Sequence, residues 1–592
     1  MSEMVFDIEA DGLLDEATQI HCISISEDGG EPHCYYPDKV EDAIHRLKSA
    51  SKLIGHNIIG YDLPLLKKLY GFVPSAHSEI RDTLVIAQMV LPDMYTKDSD
   101  AEKIPKKYWG RYSLRSFGYR FGKQKGEVEE FGEFTLEMGD YCNQDVRITE
   151  QLWRLCISKG TSVQSVDLEM AFATLAHRMQ EVGIGFNVKE AEDVLEELLG
   201  ERYELLSEVS HLVPPTVEEL RTPQYWTDPI TDVQYTRKSD APASVRKELV
   251  RGPNKVKEHL FNPMSRQQVA AYLQSRGWEP QATTPTGKPK VDETILKGIT
   301  DIPEAGMIAR LYQSQKILAM LYDGKEGWLK LVDDTGRLHP RLKTVGTVSG
   351  RTSCVSPNLQ QVPSARLPWG KECRQLFYAP EGRKLCGVDA KSLEVRCFAH
   401  YLSRYDGGEF STEVLSGDIH QSNATMMGCS RSVAKNTFFA LLYGASAQKI
   451  ASMLDYTTAE ARDLVDELYR KRPAMKKFMN DVQRRALSTG FLKGIDGRKL
   501  YPRSPHSSVN LLVQAAGACV SKQAAVNTAN DIDEHWSDYD INLVGFIHDE
   551  IIVEVPEDVA EAITQLAITG QLSLRCPMVG DGCVGDTWYE VH

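Results

Sequence analysis

The stretch from Gly545 to Val555, Gly-Phe-Ile-His-Asp-Glu-Ile-Ile-Val-Glu-Val, constrains this chain more than any other. Apolar β-formers flank a His548-Asp549-Glu550 step, so the segment reads as two short strands meeting at a turn that carries the acids. Two adjacent carboxylates there repel by roughly 1 to 4 kcal/mol at 4 Å, depending on local dielectric, unless a cation lies beside them. A second short apolar run, Lys384 to Val388, stops on Asp389. If the two strands lie side by side, Asp389 and Asp549 converge. Such an oxygen-rich pair suits Mg²⁺ and forms half of a two-metal phosphoryl-transfer site. Either acid alone is an ordinary turn residue; what lies between them gives the pair its meaning.

With 592 residues the chain is long enough for several domains, since single cores stop growing beyond about 250 to 300 residues. The formal charge of -15 argues against a polyanionic partner, but net charge speaks to solubility and steering rather than to one groove. Local basic clusters at Arg246 to Lys257, Lys288 to Lys290, Arg431 to Lys435, Arg470 to Lys477 and Arg498 to Arg503 therefore weigh more. The twelve cysteines show no C-x-x-C and no zinc spacing, so reduced thiols in a cytoplasm are expected. The opening MSEMVFDIEA has no signal-peptide pattern, and no apolar run is long enough to span a bilayer, so a soluble intracellular protein is expected.

Val5 to Glu9 is a strand whose alternation puts Asp7 and Glu9 on one face. A second strand is expected over Gln19 to Ser26, a helix over Lys39 to Ala50, a strand over Lys52 to Gly55, and a loop from His56 into a helix starting at Asp62. Helical periodicity returns from Arg81 to Val90 and from Met138 to Leu155, where Tyr141 and Asp145 are one turn apart. This order of strands and helices implies an α/β domain. The four acids Asp7, Glu9, Asp62 and Asp145, in this order and with Tyr141, resemble the proofreading-type 3′-5′ exonucleases of the ribonuclease H-like superfamily. The resemblance covers residues 1 to about 155. It implies two divalent metals on the four carboxylates, with Tyr141 orienting the attacking water.

Long amphipathic runs follow: a helix over Leu168 to Val182, a turn at Gly183 to Asn187, and a longer helix over Val188 to Leu212 behind an Asn cap. Between Pro214 and Leu260 the periodicity fails, which predicts an irregular insertion. Helix is expected again over Ser265 to Arg276 and Glu304 to Tyr322. Antiparallel helices with a basic tip suit gripping a duplex by its phosphates.

Toward the C-terminal end, Ser349-Gly350-Arg351-Thr352 followed by Pro357 to Pro363 resembles the start of the palm in family A DNA polymerases. Val388 to Arg396 resembles their first palm motif, Arg431-x₃-Lys435 with Phe439, Tyr443 and Gly444 their fingers motif, and Val544 to Val555 their third. The spacing makes its own case. Arg431, Lys435, Phe439 and Tyr443 are four residues apart along about 18 Å of helix, two cations then two aromatics, able to hold a triphosphate and stack on sugar and base. Lys435 is also placed to protonate pyrophosphate. The resemblance implies a phosphate contact for His420, a gate against the ribose 2′-hydroxyl for Glu394, and a contact with the primer end for His548. Arg498 to Arg503, followed by Asn510 and Gln514, resembles the family's return strand and template-contacting helix, and the two amides, one helical turn apart, can check pair geometry through the minor groove. Arg351 and Gln360 complete the expected DNA contacts, and Ala390 is expected to join Asp389 and Asp549 at the metals.

The expected fold is thus α/β and α+β multidomain, a ribonuclease H-like exonuclease followed by a right-hand polymerase. The expected parts are an exonuclease over 1–160, a thumb over 161–334 with an irregular insertion at 214–260, palm over 335–402, fingers over 403–509 and palm again over 510–592. Within the family the chain resembles replicative polymerases of short-tailed bacteriophages. That implies two Mg²⁺ in each site with Mn²⁺ as a substitute, primer-template DNA and deoxynucleoside triphosphates, and a host bacterial cytoplasm without membrane attachment. Phage helicase-primase and single-stranded DNA-binding protein are implied as partners. The 214–260 insertion is shorter than the loop with which well-known members bind host thioredoxin, so that partnership stays open. Three other readings stand beside this one: a bacterial repair polymerase of the same family, a single-subunit RNA polymerase, and a 3′-5′ exonuclease with a non-catalytic DNA-binding tail.

Overall fold

The computed structural model describes residues 2–123, 132–570 and 574–592. The chain forms two compact units, one of residues 1–186, 332–362 and 373–592, the other of residues 187–331 and 363–372.

The first unit opens with a five-stranded sheet of β1 (Glu3–Ala10), β2 (Ile20–Glu27), β3 (His33–Tyr35), β4 (Lys52–Gly55) and β5 (Glu79–Asp82), in the order β3-β2-β1-β4-β5. β1 is central, antiparallel to β2 and parallel to β4, so both its faces are covered. Met4, Phe6 and Ile8 pack with Ile44, Leu47 and Leu65 on one side. Val5, on the face shared with Asp7 and Glu9, packs with Val146, Ile148 and Leu152 of helix α2 (Leu136–Ser158) on the other. Alternation along one strand therefore decides which helix meets the acids. Helix α1 spans Asp62–Tyr70. The helical run expected from Arg81 begins instead at Thr83, because Arg81 and Asp82 pair with Ile54 and Gly55 as the last strand.

A second, four-stranded sheet is built from β6 (Arg383–Ala390), β7 (Asn542–Ile547), β8 (Glu550–Pro556) and β9 (Gly580–Gly585), in the order β7-β8-β6-β9. Helix α3 (Val163–Val182), expected to belong with the middle of the chain, packs in this unit: Phe172, Leu175 and Met179 share a core with Phe546, Ile551 and Val553. Helix α4 (Arg431–Leu442) and the long helix α5 (Ser508–His535) join a separate core around Phe398, Phe438 and Phe478. The return strand expected within Arg498 to Arg503 is short, Lys499–Leu500, paired with Leu492–Lys493.

In the second unit the helix Val188–Leu212 starts where Asn187 Oδ1 accepts from the Glu190 N–H at 3.1 Å, and its Leu205 and Val209 pack with Ile308 and Leu311. The segment 214–260 is not irregular. Thr216–Pro223 pairs with Asn254–His259 in a two-stranded ribbon, and Trp226–Thr227, Gln234–Tyr235 and Val250–Arg251 form a three-stranded sheet. Most ribbon side chains are exposed on both faces, so the polar-apolar alternation that announces a half-buried strand is missing. The helix expected to reach Tyr322 ends at Leu318 and continues as one π turn over Ala319–Asp323.

Candidate active sites

The first site grows from strand register. β6 runs antiparallel to β8 with Val388 opposite Ile551, and β7 closes onto β8 with Ile547 opposite Glu550, leaving His548 and Asp549 at the tip. His548 takes φ of 61° to turn the chain, and Asp389 follows Val388 directly toward that tip. Asp389 and Asp549 line the same cavity, close enough for each carboxyl to act on the other. Burial, with the charges of Asp549 and Glu550, pushes Asp389 up to about 7. Burial also raises Asp549, against the pull of Arg351 and His548. Two carboxyls driven toward protonation by burial, and in Asp389 also by its acidic neighbours, are a donor set that a divalent cation fits and would ionise. Glu550 is used differently: its Oε2 accepts from Trp588 Nε1 at 3.1 Å and pairs with His592 Nδ1 at 3.0 Å inside the protein.

Asp389, Ala390 and Asp549 line a cavity of 530 Å³, which also receives Arg351, Glu394, His420, Lys435, Phe439 and His548. Ser430 Oγ caps α4 by accepting from the Val433 N–H at 3.3 Å, while Ala434, Thr437, Phe438 and Leu441 are buried. That burial turns the Arg431, Lys435, Phe439 row away from the core. Lys435 and Phe439 reach the cavity; Arg431 does not, and pairs with Asp418 at 2.6 Å. Tyr443 lies just past the end of α4 and also falls outside the lining, but its hydroxyl donates to Glu394 Oε2 at 2.7 Å. Arg351 Nη2 donates to Glu394 Oε1 at 2.9 Å, so Glu394 bridges the two. Burial, against the pull of Asp418, holds His420 below the usual imidazole range, which makes it a neutral hydrogen-bonding group.

Gln360 lies behind the lining, its Nε2 donating to Thr352 Oγ1 at 2.8 Å. Asn510 and Gln514 on α5 are half-buried outside the cavity, and Asn510 Oδ1 has no hydrogen-bond partner among the described residues. Sequence reasoning missed Thr352, Ser392, Gly517, Ala518, Ser521 and Lys522 in the wall. The Ala515-Ala516-Gly517-Ala518 run was the available signal, since small residues let α5 close on Leu393: a Cβ at Gly517 would stand 3.2 Å from Leu393 Cδ2.

The second site is on the first sheet. Ligand atoms of Asp7, Glu9 and Cys142 lie within 4.8 Å of one another, a donor set open to a divalent cation. Cys142 was not foreseen; its Sγ is 3.3 Å from the Asp7 carbonyl oxygen and 3.8 Å from Asp7 Oδ2. Asp62, the first residue of α1, is buried, and burial together with the charges of Asp7 and Asp82 raises it well above the usual carboxylate range. Asp145 is buried on α2, one turn from Tyr141. Another unforeseen acid, Asp82, positions the loop before Asp62: its carboxylate accepts from the N–H groups of Asn57 at 2.9 Å, Ile59 at 3.2 Å and Leu84 at 2.9 Å. Asp82→Ala leaves these donors unmet and is expected to lower stability by about 2 to 4 kcal/mol in chemical denaturation.

The fold is that of a nucleic-acid polymerase. The chain aligns with the POL domain of Pol1 from M. smegmatis, solved in complex with DNA primer-template and dNTP, at a TM-score of 0.75 and 17% identity, covering 100% of this chain and 96% of that one. The family model described as DNA polymerase family A matches residues 236–590, and the chain belongs to that family. It is 28% identical to the DNA-directed DNA polymerases of Enterobacteria phage T3 and Escherichia phage T7, each alignment covering 100% of both proteins. It is a DNA-directed DNA polymerase. Among the described residues no helix is long and apolar enough to cross a membrane.

Proposed function

We propose that this polymerase extends a DNA primer at the Asp389-Asp549 site and proofreads at the Asp7-Glu9 site, replicating phage DNA in a bacterial cytoplasm. The observation that carries the reading is the convergence of Asp389 and Asp549 on one cavity, brought about by the β6-β8 register. The primer 3′-hydroxyl attacks the α-phosphorus of a deoxynucleoside triphosphate, the bond to the β-phosphate breaks, and pyrophosphate leaves with a proton from Lys435. Asp389, Asp549 and the Ala390 carbonyl would hold two Mg²⁺, whose charge would acidify the hydroxyl and neutralise the phosphates. Arg431 and His420 bind phosphates, Arg431 exchanging Asp418 for them. Phe439 and Tyr443 stack on sugar and base, and Glu394 excludes a 2′-hydroxyl. Arg351, Gln360, Asn510, Gln514 and His548 hold primer and template.

In the second site Asp7, Glu9, Asp62 and Asp145 hold two further Mg²⁺, and Tyr141 orients water for removal of a 3′ nucleotide. Residues 1–160 form the exonuclease, 187–331 the thumb, 335–402 and 510–592 the palm together with α3, and 403–509 the fingers. Helicase-primase and single-stranded DNA-binding protein are the proposed phage partners. A thioredoxin pull-down with product-length measurement tests whether the 214–260 sheets recruit a processivity factor. Primer extension by Asp7→Ala with Glu9→Ala tests the two-site reading. Undiminished synthesis supports it; synthesis lost along with degradation would leave a nuclease with a DNA-binding tail.

Phe439 lacks a hydroxyl to replace a missing 3′-OH, so the enzyme should discriminate against dideoxynucleotides. Phe439→Tyr is expected to raise dideoxynucleotide incorporation by about 100-fold or more in a competition assay, the scale on which a hydrogen bond to a hydroxyl separates substrates. Unchanged termination would refute the role given to this ring.

A further inference from the structure

Four charged side chains are buried together at and behind the cavity wall. Glu169 on α3, Asp496, Arg498 and Lys522 on α5 are 0%, 2%, 4% and 1% exposed. Lys522 Nζ donates to both Glu169 oxygens and to the Thr344 carbonyl, each at 2.8 Å. Arg498 Nη2 is 2.8 Å from Glu169 Oε1, and Arg498 Nε donates to Asp496 Oδ2 at 2.7 Å. Two acids and two bases from separate parts of the chain balance one another. Such groups are costly to bury and are a poor way to gain stability alone.

Besides the acids, both cations reach one loop. Residues 344–352 connect the three-residue strands Arg341–Lys343 and Ser353–Val355, a ribbon too short to hold a loop rigidly. The loop closes on itself through Gly346 N–H to Arg351 O at 2.9 Å and Gly350 N–H to Thr347 O at 2.9 Å. Lys522 grips its base at Thr344, and Arg498 lies against its tip: Gly350 has φ of 79°, and a Cβ there would stand 2.5 Å from Arg498 Nη1. The next two residues, Arg351 and Thr352, face the cavity.

We propose that Glu169 is a positioning residue for DNA synthesis: with Asp496 it holds Lys522 and Arg498 where they clamp this loop and set the placement of Arg351. Lys522 has its three N–H groups committed and transfers no proton, so the quartet acts through geometry. The proposal rests on the reading of Arg351 as a contact to primer and template.

The test is a double-mutant cycle on the full chain, read as single-nucleotide extension rate at saturating triphosphate and as primer-template affinity. Arg351→Ala is expected to weaken one or both by about ten-fold, the scale of a lost charged hydrogen bond. Glu169→Gln should weaken the same parameter several-fold and add less than about two-fold in the Arg351→Ala background. Thermal unfolding monitors folding. Where Glu169→Gln does not fold, Asp496→Asn, which loosens Arg498 from the other acid of the quartet without touching the loop, takes its place in the cycle. Effects that multiply, or a Glu169 change that leaves both parameters intact while Arg351→Ala impairs them, overturn the proposal alone. An Arg351→Ala enzyme that binds and extends normally overturns the reading of Arg351, and the proposal with it.

Discussion

Asp549→Asn is expected to abolish primer extension, by about 10³-fold or more in single-nucleotide addition, while the protein folds as well as before. The substitution keeps the size of the side chain at the hairpin tip and removes only its charge. Asp389 stands above the usual carboxylate range through burial and through that charge, so relieving the repulsion brings it back down. In metal-free buffer the gain in stability is a few tenths to about 1 kcal/mol, discounted for screening because Asp389, though partly enclosed by the protein, keeps part of its surface open to water. Loss of activity with an unchanged or raised melting temperature is the signature of a site held together against its own stability. Asp389→Asn should match it, and doing both should cost little more than one, since the pair acts as a unit. Nucleotide addition at full speed in either single variant would remove the basis for the synthetic reaction.

Asp7→Ala with Glu9→Ala should lower degradation of single-stranded DNA by about 10³-fold or more, with primer extension retained. Both carboxylates project from one face of β1 toward α2, where Cys142 meets them. The sheet core, Met4, Phe6 and Ile8, faces the other way and is untouched. Truncation therefore removes ligands without opening a cavity in the main core, and stability should change by less than about 1 kcal/mol. Mispair extension offers an independent measure: the variant should accumulate misincorporated ends that the parent removes. Degradation at the parental rate would show that these acids serve only the fold.

The parts of both sites that were legible in the sequence lie on single regular elements. Asp7 and Glu9 alternate along one strand, Asp62 starts a helix, Tyr141 and Asp145 share a helix turn, and Lys435 and Phe439 stand on one helix face. Local periodicity suffices there, because 2.0 and 3.6 residues per repeat fix which side chains point together. The ribbon within 214–260 was illegible because strands exposed on both faces show no alternation. Cys142 has no metal-site spacing to mark it, and Asp82 falls within the helical periodicity that runs from Arg81 to Val90.

By itself, then, the sequence determined which elements form and which face of each carries the acids, cations and aromatics, for these follow from neighbours a few positions apart. Tertiary structure alone decided which of them meet. It set the strand register that joins Asp389 to Asp549, left Arg431 on Asp418 outside the cavity, and drew Glu169 under a loop it could not have been assigned to. Those pairings depend on how whole sheets and helices stack, and contacts across hundreds of positions leave no periodic trace in a single chain.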